Sequence, residues 1–198
     1  MVVERDALSE WSQRHDGYDV QQSRLVRAWL GAMKLAAQPL ALRQVSPDLL
    51  TAAGVVAAAT AVAAPRRTAA VWVLATGVFD GLDGAVAVVS GTADARGQRI
   101  DHLADRVTDV LFAAALWRAG APRSMCAAVA ALTLGYEASR SRLRRSRLRD
   151  VALVTMGERP IRVAVVASGL VVAPRIGATT LLVLLTGAGL QVASATRG

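Results

Sequence analysis

Six apolar runs, at about residues 47–64, 68–88, 100–117, 122–138, 161–173 and 176–194, take up most of the chain. A helical membrane span needs about 20 predominantly apolar residues, and these runs approach that length once their polar ends are included. The expected fold is therefore all-α: a polytopic membrane helical bundle of about six transmembrane helices. The runs are rich in Ala, Val and Leu and poor in aromatics, which suits slim helices that pack closely. With 54% hydrophobic and only 19% charged residues, the composition excludes an ordinary soluble domain. The fifth run is short and the third begins at charged Asp101, so five spans with a re-entrant piece is the alternative count.

A net charge of +8 could indicate a nucleic-acid binder, but the position of the charges argues otherwise. With six spans, both termini share one side. Eighteen of the 23 Lys and Arg residues then fall on that side, and five (Arg66, Arg67, Arg118, Arg123 and Arg175) on the other. By the positive-inside rule the termini, the aspartate-bearing loop and the segment Arg140–Arg149 face the cytoplasm of a multi-pass cell-membrane protein. The basic charge is topological, and no nucleic-acid partner is expected.

Residues 1–45 read as a cytoplasmic N-terminal segment and residues 46–198 as one membrane domain. The first 20 residues carry Glu4, Asp6, Glu10 and Asp16 without an apolar stretch, so no removable signal is expected. From about 22 to 44, Leu25, Trp29, Met33, Leu35 and Leu40 alternate with Arg24, Arg27, Lys34 and Arg43. That pattern predicts an amphipathic helix lying in the membrane interface. Cys126 is the sole cysteine, which excludes an internal disulfide.

Against this apolar background stand Asp80, Asp83, Asp101 and Asp105. A carboxylate near hydrocarbon depth costs at least about 2.5–3.5 kcal/mol unless paired or hydrated. Side chains three or four apart share a helix face, so Asp80 converges with Asp83 and Asp101 with Asp105. Two such pairs form an all-oxygen site that suits Mg2+ or Mn2+ rather than zinc. Gly84 and Gly97 flank the stretch and allow a ligand or backbone to come close. His102 points off the shared face and reads as a helix-flank residue. Asp109 continues the row from Asp105 as a structural acid, Asp94 reads as a solvated loop residue, and Gly77 and Gly81 as a helix-packing step.

The 26-residue segment DGLDGAVAVVSGTADARGQRIDHLAD, Asp80 to Asp105, resembles the signature of the CDP-alcohol phosphotransferases, integral membrane enzymes of phospholipid synthesis. All four aspartates and both glycines are in register, and Val88 stands where the family usually has arginine. Ser46-Pro47-Asp48 with Thr51 resembles the segment that opens the first span in many members. Tyr136, Arg140 and Glu158-Arg159-Pro160-x-Arg162 resemble the actinobacterial phosphatidylinositol phosphate synthases, although Ala138 replaces a lysine and Ser139 an alanine.

The resemblance implies transfer of a phosphatidyl group from CDP-diacylglycerol to a small polar alcohol, with release of CMP. Asp80, Asp83, Asp101 and Asp105 would hold two Mg2+ or Mn2+ ions, and Asp105 would also be the catalytic base. Asp48, Thr51, Gly84, Ala87 and Gly97 would receive the nucleotide. Arg140, Arg159 and Arg162 would grip the phosphate of the acceptor, a task that suits guanidinium groups. Inositol phosphate and glycerol phosphate are the candidate acceptors, and a homodimer is implied by the resemblance. The remaining alternative is a non-catalytic homologue that keeps the metal site.

Overall fold

The computed structural model describes residues 24–145 and 159–195, with the side chains of residues 24–28, 30, 140, 142–145 and 195 left aside. Seven helices and no strand occur among the described residues: α1 (Arg24–Leu42), α2 (Pro47–Ala63), α3 (Arg66–Val89), α4 (Ala95–Arg118), α5 (Arg123–Arg145), α6 (Arg159–Val171) and α7 (Pro174–Ala195). Each apolar run of the sequence becomes one of the helices α2 to α7. The predicted interfacial segment becomes α1.

Short connections force consecutive helices to reverse, and the turns show how. Gly91, at φ +67°, ends α3 while Thr92 N–H donates to the Ala87 carbonyl and Gly91 N–H to that of Val88. This paired back-bonding satisfies the last carbonyls of the helix and needs a left-handed residue, for which glycine has no Cβ penalty. Gly120, at φ +111°, ends α4 with the same two bonds. Gln44, at φ 56°, ends α1 in the same way. Beyond it α2 departs at 119° to the Gly31–Leu42 part of α1.

The largest hydrophobic cluster gathers at one end of the bundle. Val73, Leu116, Val166, Leu170, Leu181 and Leu185 are fully buried there, between α3, α4, α6 and α7. Alanines fill the gaps, among them Ala58, Ala61, Ala69, Ala113, Ala167 and Ala178, so the backbones approach closely. At Gly169 of α6 and Gly177 of α7 the backbones come so close that a Cβ on Gly169 would lie 2.7 Å from Gly177 Cα. Arg66, at the start of α3, donates from Nε to the Leu170 carbonyl at 3.2 Å and from Nη2 to that of Val172 at 3.3 Å, capping the end of α6.

Large side chains such as Val56, Val71, Leu74, Val110, Val183 and Leu190 point outward. Such exposure would be a liability in water and is expected against lipid. By length and composition alone, α3 and Pro174–Ser194 of α7 are apolar enough to cross a membrane, and Gly31–Leu42 with Pro47–Ala63 would qualify jointly as a bent pair. The other helices fall short for physical reasons. Between Ala95 and Asp109, α4 carries Arg96, Arg99, Asp101, Asp105, Arg106 and Asp109, and α6 has 13 residues, about 20 Å at 1.5 Å per residue.

Candidate metal and phosphate site

The end of the bundle opposite the largest hydrophobic cluster carries the aspartates. Helices α2, α4 and α6 begin there, and α3 returns to it. Their ends enclose a narrow pocket lined by Thr51, Gly54 and Val55 of α2, Thr76, Asp80 and Asp83 of α3, Asp101, Ala104, Asp105 and Thr108 of α4, and Arg159 of α6. All four predicted aspartates thus converge. Three helix N-termini at this end also carry partial positive charge, which favours anions.

Each carboxylate has a defined neighbour. The Thr51 hydroxyl donates to Asp83 Oδ2 at 2.6 Å, fixing a carboxylate that is 6% exposed. Arg159 Nε lies 3.3 Å from Asp80 Oδ1, and Nη1 pairs with Asp105 Oδ1. Arg159 Nη2 donates to the Thr108 hydroxyl at 2.9 Å, which itself donates to the Asp105 carbonyl at 3.0 Å. One ligand atom each from Asp101, His102 and Asp105 falls within a 4.8 Å span. His102, expected on the helix flank, is exposed yet its ring reaches that cluster.

Of the residues expected to receive a nucleotide, Thr51 lines the pocket itself and the others lie nearer the loops. Gly84 and Ala87 continue the Asp80/Asp83 face of α3, and Gly97 precedes Asp101 by four residues on α4. Nothing lies within 4 Å of where a Cβ on Gly84 would be, so this flank is open. Asp48, at the start of α2, faces Arg96 at 3.9 Å. Gly97 has a further structural task, since its N–H donates to Asp94 Oδ1 at 2.6 Å. Asp94 is therefore the N-cap of α4 rather than a merely solvated loop residue.

The arginines divide. Arg159 enters the pocket. Arg162, one turn further along α6, is buried elsewhere: Nη2 donates to Asp109 Oδ2 at 3.0 Å, and Nη1 and Nη2 both reach Glu137 Oε1 at 3.0 Å. This network ties α4, α5 and α6 together just below the pocket. The side chain of Arg140 and the residues 146–158 lie outside the described set, as do the first 23 residues. Sequence reasoning did not single out Glu137 or Thr108. Glu137 ends the fourth apolar run, and an acid at that depth calls for a cationic partner.

The glycines of the packing step are used as such. A Cβ at Gly77 would meet Val163 of α6 at 3.4 Å, and one at Gly81 would meet Met33 of α1 at 3.1 Å.

The donor set fits a hard divalent cation: four carboxylates, with no sulfur. The carboxylates Asp80 and Asp105 already seat a positive guanidinium, that of Arg159.

Helical bundle, apolar exterior and acidic polar end define an integral membrane protein with a carboxylate site. The chain belongs to the CDP-alcohol phosphatidyltransferase family, whose model matches residues 44–193. It is accordingly a transferase of phospholipid synthesis. Among solved structures it is similar to Mycobacterium tuberculosis phosphatidylinositol phosphate synthase (PgsA1) in complex with manganese and citrate, at 23% identity and TM-score 0.69 over 82% of this chain and 88% of that one. The same enzyme with CDP-DAG bound matches at 22% identity and TM-score 0.66, over 83% and 92%. At that identity the likeness speaks for the fold. No curated protein sequence matches the chain.

Proposed function

We propose that the protein transfers a phosphatidyl group from CDP-diacylglycerol to a small polar alcohol and releases CMP. The convergence of Asp80, Asp83, Asp101 and Asp105 with Thr51 and Arg159 in one pocket carries this reading. The solved relatives support it, one holding manganese and one CDP-DAG.

Asp80, Asp83 and Asp101, with Asp105 completing a second position, would hold two Mg2+ or Mn2+ ions. Bound there, the ions would offset the charge of the diphosphate. Thr51 keeps Asp83 turned toward the pocket. Gly84, Ala87 and Gly97, with Asp48 and Thr51, receive the cytidine nucleotide on the open flank. Asp105 accepts the proton of the acceptor hydroxyl as its oxygen bonds to the phosphatidyl phosphorus and the bond from phosphorus to the CMP oxygen breaks. Arg159 meets the acceptor's phosphate, assisted by Arg140. Arg162, engaged by Asp109 and Glu137, supports the wall on which Arg159 is mounted. This narrows the expected trio of phosphate-binding arginines to two.

The acyl chains stay in lipid, so the pocket opens sideways as well as to the cytoplasm. Six helices span the membrane, α1 lies along the surface, both termini are cytoplasmic, and two copies form a homodimer. Inositol phosphate is the first acceptor to test and glycerol phosphate the second, because Ala138 removes a cation that the inositol phosphate enzymes typically carry. The test is incubation of purified protein with CDP-diacylglycerol and a panel of alcohols, following CMP and the lipid formed. CMP release with one acceptor supports the reading; no CMP with any acceptor, from folded protein with metal present, refutes it.

A further inference from the structure

Two arginines three residues apart on α6 face two aspartates four residues apart on α4, as the rungs of a ladder: Arg159 with Asp105, and Arg162 with Asp109. The rungs differ in kind. Arg162 is 4% exposed, and its guanidinium makes hydrogen bonds of 3.0 Å to Asp109 and Glu137. Arg159 Nε and Nη1 and Asp105 Oδ1 are buried without an aligned hydrogen bond between them. The upper rung is thus a charge contact with Asp80 and Asp105 rather than a fitted fork, with one aligned hydrogen bond, from Nη2 to Thr108.

The upper rung also uses Asp80 Oδ1 and Asp105 Oδ1, and Asp80 and Asp105 are two of the four carboxylates assigned to metal. A guanidinium cannot lose its proton in a protein, so it has no means of easing its repulsion with a divalent ion except by moving.

We propose that Arg159 is a displaceable counter-cation of the carboxylate pocket: it and a divalent cation compete for Asp80 and Asp105, and metal entry frees its guanidinium for the anionic group of the acceptor. This rests on the reading of the four carboxylates as a metal site. The lower rung holds α6 in place, so that the exchange moves a side chain and not a helix. Metal binding then precedes acceptor binding, and a phosphorylated acceptor suits the freed cation better than a neutral one.

The test is thermal unfolding of the full chain in one detergent, in EDTA and then across a Mn2+ titration. The variants are Arg159→Gln, Arg159→Lys and Arg162→Gln, and the readout is the Mn2+ concentration giving half of the maximal thermal protection. Arg159→Gln should melt below the wild type in EDTA and need about tenfold less Mn2+, equivalent to about 1.4 kcal/mol. Arg159→Lys should fall between the two. Arg162→Gln should melt lower both with and without Mn2+ and leave the half-protection concentration unchanged. An equal or higher Mn2+ requirement in Arg159→Gln overturns the counter-cation role and leaves the metal site standing. Absence of Mn2+ protection in every protein overturns both the role and the metal reading beneath it. Should Arg159→Gln not be isolable, the direction of the shift in Arg159→Lys decides.

Discussion

The contact between α6 and α7 is close enough that one added methyl group forces the helices to shift. A Cβ built on Gly169 would lie 2.7 Å from Gly177 Cα and 3.3 Å from Gly177 N, and one on Gly177 would lie 2.8 Å from Gly169 Cα. These are backbone atoms and cannot swing aside as the tip of a flexible side chain would. Gly169→Ala therefore pushes the helices apart, an overpacking that costs about 1–3 kcal/mol. Alanine recovers about 0.8–1.0 kcal/mol of helix propensity over glycine. From these figures the net effect runs from about neutral to about 2 kcal/mol destabilising.

Gly187 in α7 supplies the control, because nothing lies within 4 Å of its Cβ position. Gly187→Ala gains the propensity term alone and should stabilise by about 1 kcal/mol. Thermal unfolding of both variants in the same detergent measures the gap. At roughly 2–4 °C per kcal/mol for a chain of this size, Gly169→Ala should melt some 2–12 °C below Gly187→Ala. A Gly169→Ala protein as stable as Gly187→Ala would refute the close crossing.

Three other outcomes are expected. Thr51→Val removes a hydrogen bond to a buried carboxylate, a loss of about 1.5–3 kcal/mol, and should raise the Mn2+ concentration needed for half-maximal protection at least tenfold, while Thr51→Ser restores it; equal values for all three proteins would show that Thr51 does not orient Asp83. Asp105→Asn should abolish CMP release while CDP-diacylglycerol binding largely survives, whereas Asp80→Asn should weaken both, and equal losses of binding would remove the division between base and ligand. In a Cys126→Ala background, Ser146→Cys should escape an impermeant thiol reagent applied outside intact cells, and efficient labelling there would reverse the proposed orientation.

The helices were readable because each apolar run ends at residues that stop a helix: Gly91 and Gly120 close α3 and α4, and Pro47 and Pro174 open α2 and α7. The aspartates were readable for an equally local reason, since spacings of three and four place carboxylates on one face whatever the helix packs against. Arg159 and Arg162 show where such reasoning stops. They share a helix face, but one meets the pocket carboxylates Asp80 and Asp105, and the other Asp109 of α4 together with Glu137 of α5. That choice is made by the neighbouring helices and not by the spacing. Glu137 lies outside every motif, although an acid ending an apolar run is itself a signal. Asp94 reads as loop until α4 is known to start at Ala95, where its carboxylate becomes the cap.

The central claim, metal-dependent phosphatidyl transfer at the four aspartates, is tested most directly by one titration. Protein stripped with EDTA is supplied with CDP-diacylglycerol and the acceptor that gives CMP, and CMP release is followed as Mg2+ or Mn2+ is returned, for the wild type and for Asp83→Asn. The account predicts no release in chelator, full recovery of the wild type as metal is added, and no recovery for Asp83→Asn over the range that saturates the wild type. Full turnover in excess EDTA by protein that retains no metal, or an Asp83→Asn titration that overlays the wild type, would contradict it.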